Sequence, residues 1–341
     1  MLRFLGWRLL QSVLVLWAVY TVTFFLLMLT PGDPFIAGER KAPQSVREAL
    51  ARKYGLEYLT REDRGKLGAG ERMYYISQAY VRYATNLVQR DAQGRWHLDF
   101  GPSIEYENWS VGEIIASSLP VSLTLGSVAL LLALWAGVGA GMWGAVRKGR
   151  WPDLGLSVVT LLGVSLPSFV VGSLLIMAFV VVVPVLPVGG WGTGGAGEGG
   201  VGQAVLRLIL PAGALALFFL AYIARLTRAS MLDALSADYV RTARSKGLRG
   251  GRIVTRHVGA NAILPVLSYL GPAAANILVG SFVVEKLFVI PGLGQHFVNG
   301  CLNKDIPLVL GAVMVYSVLV VVFNMLVDVA YAAVDPRITL S

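Results

Sequence analysis

Side chains that could do chemistry are few and scattered in this sequence. His97, His257 and His296 lie far apart, and none forms the H-E-x-x-H pair of a helical zinc site. Cys301 is the lone cysteine, which rules out an intramolecular disulfide framework and any multi-cysteine metal cluster. Gly192-Thr193-Gly194-Gly195-Ala196-Gly197 matches G-x-G-x-x-G in form. No strand precedes it and no βαβ unit surrounds it, so it reads as a flexible connector and not as a dinucleotide cradle. Gly65-Lys66 lacks the Ser/Thr and the upstream glycine spacing of a phosphate loop, so the chain should not hydrolyse ATP itself. No G-x-S-x-G nucleophile elbow occurs. Asn108-Trp109-Ser110 fits a glycosylation sequon, a three-residue match of the kind chance supplies.

What stands out instead is a cluster of charge. Asp238 to Pro265 carries Arg241, Arg244, Lys246, Arg249, Arg252 and Arg256 between two long apolar runs. Ser236 suits an N-cap, and Asp238 in the first turn suits the positive end of the helix dipole. Lys246 falls in the last turn, and Gly247 fits a left-handed C-cap. The pattern predicts a short helix of about three turns, a Gly-Leu-Arg-Gly-Gly turn, and a second helix from near Arg252 into Pro265. Charge alone fits two readings, a cytoplasmic anchor or a docking surface for a soluble partner.

The elements that carry this cluster are membrane helices. Of 341 residues 55% are hydrophobic and 14% charged, against about 25% charged in a soluble domain. The net charge of +9 need not imply nucleic acid, because much of it sits in short loops beside apolar spans. Six apolar runs are visible: Leu9 to Gly32, Ile114 to Val146, Leu154 to Val183 (broken by Pro167), a short one from Leu208 to Ala224, Val258 to Val284, and Ile306 to Val327. The first is long for a signal-peptide core and no small-x-small cleavage site follows, so it reads as an uncleaved helix. Val111 to Ser118 reads as an interfacial lead-in to the second. The expected organisation is a helix over 1–32, an insert over 33–110, and a five-helix core over 111–341 that contains the cytoplasmic loop 227–265.

Basic and acidic residues nearly balance in the insert, as in a solvated segment. Ser45-x-x-Glu48 is a capping box for a short helix that Gly55 can close. A second helix runs from about Glu71 to Arg90, with Ile76, Tyr80, Tyr83 and Leu87 on one stripe, read as packing against the rest of the protein. Thr60 to Gly70, between them, reads as a mobile polar connector. In the short loops, Arg3, Arg8, Arg147, Lys148, Arg150, Arg225, Arg228 and the basic cluster fall on one side, against Lys304 on the other. The positive-inside rule then puts both termini and the basic cluster in the cytoplasm, and the insert and the Gly-rich loop outside. Asp328 is the one ionisable residue that the runs place inside a span, and it reads as structural. Carriers and channels usually keep ionisable groups in the membrane. Their scarcity here suggests that any driving energy enters from outside the bilayer, with the basic cluster as its point of entry.

The order of residues sharpens this. D-Y-V-R-T-A-R-S-K-G-L followed by R-H-x-x-x-N-A-I-L-P resembles the EAA loop of bacterial binding-protein-dependent ABC importers, with Ala243, Gly247 and Leu264-Pro265 at its core. Thr30-Pro31-Gly32-Asp33-Pro34, Ala224 to Met231, Pro291-Gly292-Leu293-Gly294, Val327-Asp328-Val329-Ala330-Tyr331 and Asp335-Pro336-Arg337 resemble the peptide/nickel branch. Asp99-Phe100-Gly101-Pro102-Ser103, Leu166-Pro167-Ser168-Phe169 and Gly189-Gly190-Trp191 are similar to the first of the two permease subunits of oligopeptide importers. Leu56 to Ser77 is longer than the usual insert, and Gly250-Gly251 and Gly259 are unusually flexible for the loop.

The resemblance implies an all-α membrane protein of six transmembrane helices, a type I ABC importer permease with a small helical insert. It implies that Tyr239, Thr242, Ala243, Lys246, Gly247 and Leu248 couple to an ATP-binding subunit, with the small Ala243 allowing close approach. Implied partners are a second, homologous permease, two ATP-binding subunits that hold ATP and Mg, and an extracytoplasmic substrate-binding protein. This chain itself would carry no cofactor, no metal and no catalytic residue. A wide, weakly polar path for peptides is expected between the two permeases, with Ser165, Asn276 and Asn324 as candidate lining residues. Dipeptides, nickel, glutathione or oligosaccharides are the alternative cargoes within the family. An ATP-independent channel or carrier and a membrane-embedded enzyme are the alternatives outside it.

Overall fold

A computed structural model describes residues 2–30, 51–52, 57, 67–90, 94, 96–106, 108–192, 200–278 and 282–334. The capping box at Ser45 lies outside these, as does most of the connector from Thr60. The described chain divides into two compact units, Met1–Pro120 with Gly292–Leu319, and Val121–Pro291 with Val320–Ser341.

The first unit is organised by helix α1 (Leu2–Leu29) and helix α2 of the insert (Ala69–Asn86). Backbone of α2 begins where Gly68 N–H donates to Glu71 Oε2 at 3.1 Å, which satisfies one of the orphan donors of a helix start. The predicted stripe faces inward: Ile76 and Tyr83 are buried, and Tyr80 and Leu87 are half-buried beside them. They meet Tyr20, Phe24 and Met28 of α1. The aromatic rings do not forgo their polar ends. Tyr20 donates to the Tyr80 carbonyl at 3.0 Å, and Tyr83 donates to the Phe100 carbonyl at 2.8 Å. After α2 the chain forms a two-stranded antiparallel ribbon, β1 (Val88–Arg90) with β2 (Trp96–Leu98), so the insert is not purely helical.

Helix α3 (Val111–Val146) starts on a capping box, with Ser110 N–H donating to Glu113 Oε2 at 2.9 Å and Glu113 N–H to Ser110 Oγ at 3.2 Å. The segment expected as a lead-in is simply its first two turns, and Pro120 sits inside the helix without ending it.

The second unit is a helical bundle. Helix α4 (Trp151–Ser165) and helix α5 (Ser168–Ile176, continued by a π-helical turn over Met177–Val182) are bent by 112° at Leu166-Pro167. Pro167 forces Leu166 into extended backbone (φ −90°, ψ 129°), so the helix cannot run through. The expected break is therefore a sharp bend. Helix α6 (Gly200–Ser236) is far longer than the short run expected, because Arg207, Arg225, Arg228 and Asp233 interrupt its apolar sequence without interrupting its backbone. One of these charges has a buried partner: the Arg228 guanidinium forks onto Asp153 of α4, with Nη2 to Oδ2 at 2.8 Å. A Cβ at Gly141 of α3 would lie 2.5 Å from the Ala224 carbonyl, so glycine is what lets α3 and α6 touch.

Helices α7 (Asp238–Ser245), α8 (Gly250–Arg252), α9 (Gly259–Ala262) and α10 (Leu264–Leu278) form the loop and the helix it feeds and are described below. Helix α11 (Phe282–Leu287) follows, while helix α12 (Leu293–Asn303) and the first half of helix α13 (Ile306–Val334) return to the first unit. Among the described residues four helices are long and apolar enough to cross a membrane, or up to six if each of two bent pairs counts as one span.

Candidate functional site: the basic loop

The loop is a short rigid helix held from behind. Helix α7 (Asp238–Ser245) is opened by Ala237 in extended backbone (φ −70°, ψ 150°), with no side-chain cap. Ser236, expected as the N-cap, is instead the last residue of α6 and donates back to the Asp233 carbonyl at 2.7 Å. Val240 and Ala243, one turn apart, point inward and pack with Met231, Ile253, Val258, Ala262 and Ala145. Tyr239, Thr242 and Lys246 point out to solvent.

The C-terminus closes as predicted from Gly247. Gly247 N–H donates to the Arg244 carbonyl at 2.9 Å, and Leu248 N–H reaches the Ala243 carbonyl at 3.3 Å. That pair of bonds is a Schellman motif, and it requires the positive φ of +75° that Gly247 adopts. Leu248 packs into the same apolar cluster as Ala243, the hydrophobic contact that accompanies such a cap. Arg249 then resets the chain to extended backbone, and a helix restarts at Gly250, two residues before the expected start.

The return arm is not a uniform helix. It runs as α8 (Gly250–Arg252), a π-helical segment (Ile253–Val258) and α9 (Gly259–Ala262) before α10 (Leu264–Leu278). A π segment marks a place where packing has overridden the regular ladder. The glycines at 250, 251 and 259 give that arm little intrinsic helix preference. Tyr239 is tied to it through Asn261 Nδ2, at 3.3 Å.

Electrostatically the loop is a rim of exposed cations. Arg241, Arg244, Lys246, Arg249 and Arg252 are all exposed. The Arg241–Asp238 pair, at 3.5 Å with both side chains largely in water, contributes little. No cluster of metal-ligating side chains accompanies these cations among the described residues. The arrangement is an exposed cationic face on a helix packed against its own chain. Ala243 is the residue whose place differs from expectation. Its side chain faces this chain's own cluster and not outward, so the surface open to a partner is that of Tyr239, Thr242, Lys246 and the Gly247 turn.

Two of the three candidate path residues come together. Ser165 and Asn276 line one cavity of about 410 Å³, with Ser168, Phe218 and Phe219. Their side chains also bond locally, Ser165 Oγ to the Leu161 carbonyl at 2.8 Å and Asn276 Nδ2 to the Pro272 carbonyl at 2.9 Å. Asn324 is exposed on α13 and is not in that lining. Sequence reasoning missed two carboxylates. Glu285 sits just past the end of the fifth apolar run; it is fully buried, and Ser122 Oγ donates to it at 2.7 Å. An acid flanked by Phe282-Val283-Val284 and Leu287-Phe288 was the available signal. Asp305 is also fully buried; it accepts from Ser103 Oγ and from the N–H groups of Ile104, Glu105 and Leu308, and so ties the Asp99–Ser103 block to the start of α13.

A membrane-helix bundle with an outward-facing basic helical loop defines a class, the inner-membrane component of a binding-protein-dependent transport system. Residues 137–340 match the family of that description, and the chain belongs to it. Among relatives, the chain is 40% identical over 338 residues to the oligopeptide transport system permease protein OppB of Escherichia coli K12, covering 99% of each. It is 40% identical to the OppB of Salmonella typhimurium over 339 residues, again 99% of each. The dipeptide transport system permease protein DppB of Bacillus subtilis is 34% identical over 334 residues, 98% of this chain and 96% of that protein. A chain of the inward-facing MetNI methionine ABC transporter superposes with a TM-score of 0.49 at 15% identity, covering 65% of this chain and 96% of that one.

Proposed function

We propose that this chain is the membrane permease subunit of an ATP-driven importer of oligopeptides. The carrying observation is the near full-length identity to oligopeptide permeases, with the EAA-like residues folded as an exposed, Schellman-capped helix. It is no enzyme. ATP and Mg belong to two ATP-binding subunits that receive α7 through Tyr239, Thr242, Lys246 and the Gly247 turn, while Ala243 and Leu248 hold α7 against its own chain. A second, homologous permease completes the path, and an extracytoplasmic binding protein delivers the peptide. The fold is a type I importer permease with six crossings, and both termini lie in the cytoplasm with the basic loop. The cavity at Ser165 and Asn276, mostly apolar with hydroxyls and one amide, suits a peptide backbone whose side chains vary.

The test is co-purification of the tagged chain from its host, followed by ATPase assay. Recovery of ATP-binding subunits and a second permease, with hydrolysis stimulated by peptide-loaded binding protein, is the expected result. Stimulation by a nickel-, glutathione- or oligosaccharide-loaded protein instead would replace the cargo and keep the class. A chain that purifies without nucleotide-binding companions would return the loop to a topology anchor.

A further inference from the structure

The β1–β2 ribbon of the insert has one apolar face that none of the described residues covers. Its register pairs Val88 with Leu98 and Arg90 with Trp96, so these four side chains share a face, and Gln89 and His97 share the other. Val88, Trp96 and Leu98 are 50%, 64% and 63% exposed. The Arg90 guanidinium lies 4.3 Å over the Trp96 ring. A ribbon this short and this exposed cannot be holding itself together through that face.

The depth of the ribbon says what covers it. Leu87, immediately before β1, packs against two apolar clusters, one that includes Phe24 and Met28 in the last turns of α1 and one that includes Val111, Ile114 and Leu308 in the first turns of α3 and α13. Asp99 N–H, just after β2, donates to the Leu87 carbonyl at 2.9 Å, which pins both ends of the ribbon to that level. Three membrane-length helices therefore end or begin where the ribbon is rooted. Three strand residues reach about 10 Å from that root. The headgroup layer outside the hydrocarbon is about 5–8 Å thick on each side. Wherever it points, the ribbon stays within or just beyond that layer.

We propose that the Val88–Leu98–Arg90–Trp96 face rests on the phospholipid headgroups at the extracytoplasmic surface. Trp96 fills the interfacial position that indole favours, Val88 and Leu98 insert at the acyl boundary, and Arg90 reaches a phosphodiester while stacking on Trp96. The ribbon is then a float that fixes the height of the insert, and it is not the docking face for a soluble partner.

The test uses the full chain co-purified with its companions, in nanodiscs of phosphatidylethanolamine and phosphatidylglycerol. In a Cys301→Ser background, a cysteine replacing Leu98 or His97 carries an environment-sensitive fluorophore. A phospholipid with a nitroxide near the head of its acyl chain should quench the label at 98 several-fold more than at 97, while aqueous iodide shows the reverse order. Adding the binding protein should change neither. Iodide quenching at 98 with no nitroxide effect would overturn the proposal. So would protection at 98 that arises only when the binding protein is added, which would assign the face to protein docking.

Discussion

Gly247 offers a perturbation whose physics separates backbone from bulk. A Cβ added there meets nothing within 4 Å in this chain, so the cost of substitution within the subunit is conformational alone. At φ +75° an L-residue costs about 1–2 kcal/mol, asparagine less because its side chain tolerates the left-handed region, and a β-branched residue most. At 1.4 kcal/mol per tenfold, Gly247→Ala should reduce the correctly capped loop by roughly tenfold relative to its alternatives, and Gly247→Val by more. Peptide uptake and peptide-stimulated ATPase in the reconstituted complex should therefore fall in the order Gly, Asn, Ala, Val, with membrane levels of the chain unchanged. Normal uptake with Gly247→Val would refute the reasoning outright. Equal loss for Gly247→Asn and Gly247→Val would refute the conformational account and point to a partner surface pressed against the turn.

Other perturbations follow the same logic. Ala243→Glu would bury a carboxylate among Met231, Val240 and Ile253, so limited proteolysis should find the loop loosened; Thr242→Trp, on the exposed face, should spare the fold and lower only the ATPase coupling. Arg228→Ala removes the guanidinium from Asp153, leaving the Gly149 N–H as its donor, and should lower the melting temperature, with Arg228→Lys recovering part of the loss. Gly141→Leu drives a side chain into the Ala224 carbonyl and should destabilise the purified chain by about 1–3 kcal/mol or more, whereas Gly139→Leu, with open space around it, should not. His296, stacked edge-on against Tyr106 at 5.1 Å and with no hydrogen-bond partner at Nδ1, is held below the ordinary imidazole value by burial. Its neutral form is the one that fits, so its contribution is complete above about pH 6.5 and declines as pH falls from there toward the lowered folded value; melting curves of His296→Phe should lose that part of the acid dependence.

The loop was the most legible part of the sequence, because a cap glycine, a basic rim and an apolar i, i+3 pair are all local signals. The family followed from ordered residues in the same stretch. Side-chain direction was less legible: Ala243 is small for packing against Met231 and Ile253, and nothing in its neighbours' identity separates that from smallness toward a partner. Helix lengths were misjudged at α6 because Arg207 and Arg225 end an apolar run without ending a helix. Glu285 and Asp305 were invisible for the opposite reason. Each lies just outside an apolar run, and only tertiary contacts such as Ser122 or the Ile104 amide make such an acid tolerable in the interior.

The apolar cluster behind α7 also bears on the parity of the crossings. It joins Ala145, at the far end of α3, to Val240 and Ala243 in the loop, so those two points of the chain lie at one level of their unit. Between them the chain passes through the bent α4–α5 pair and then through α6, whose 37 residues extend about 55 Å in one direction. A path that leaves a level and returns to it after one long straight passage needs an outward passage of the same depth. The bent pair and the connector before Gly200 are the segments on that path that can supply it. If the 112° bend is one passage, as the six-crossing fold proposed above requires, a substitution such as Pro167→Ala that straightens it would alter the angle of the passage but not the side on which the loop emerges.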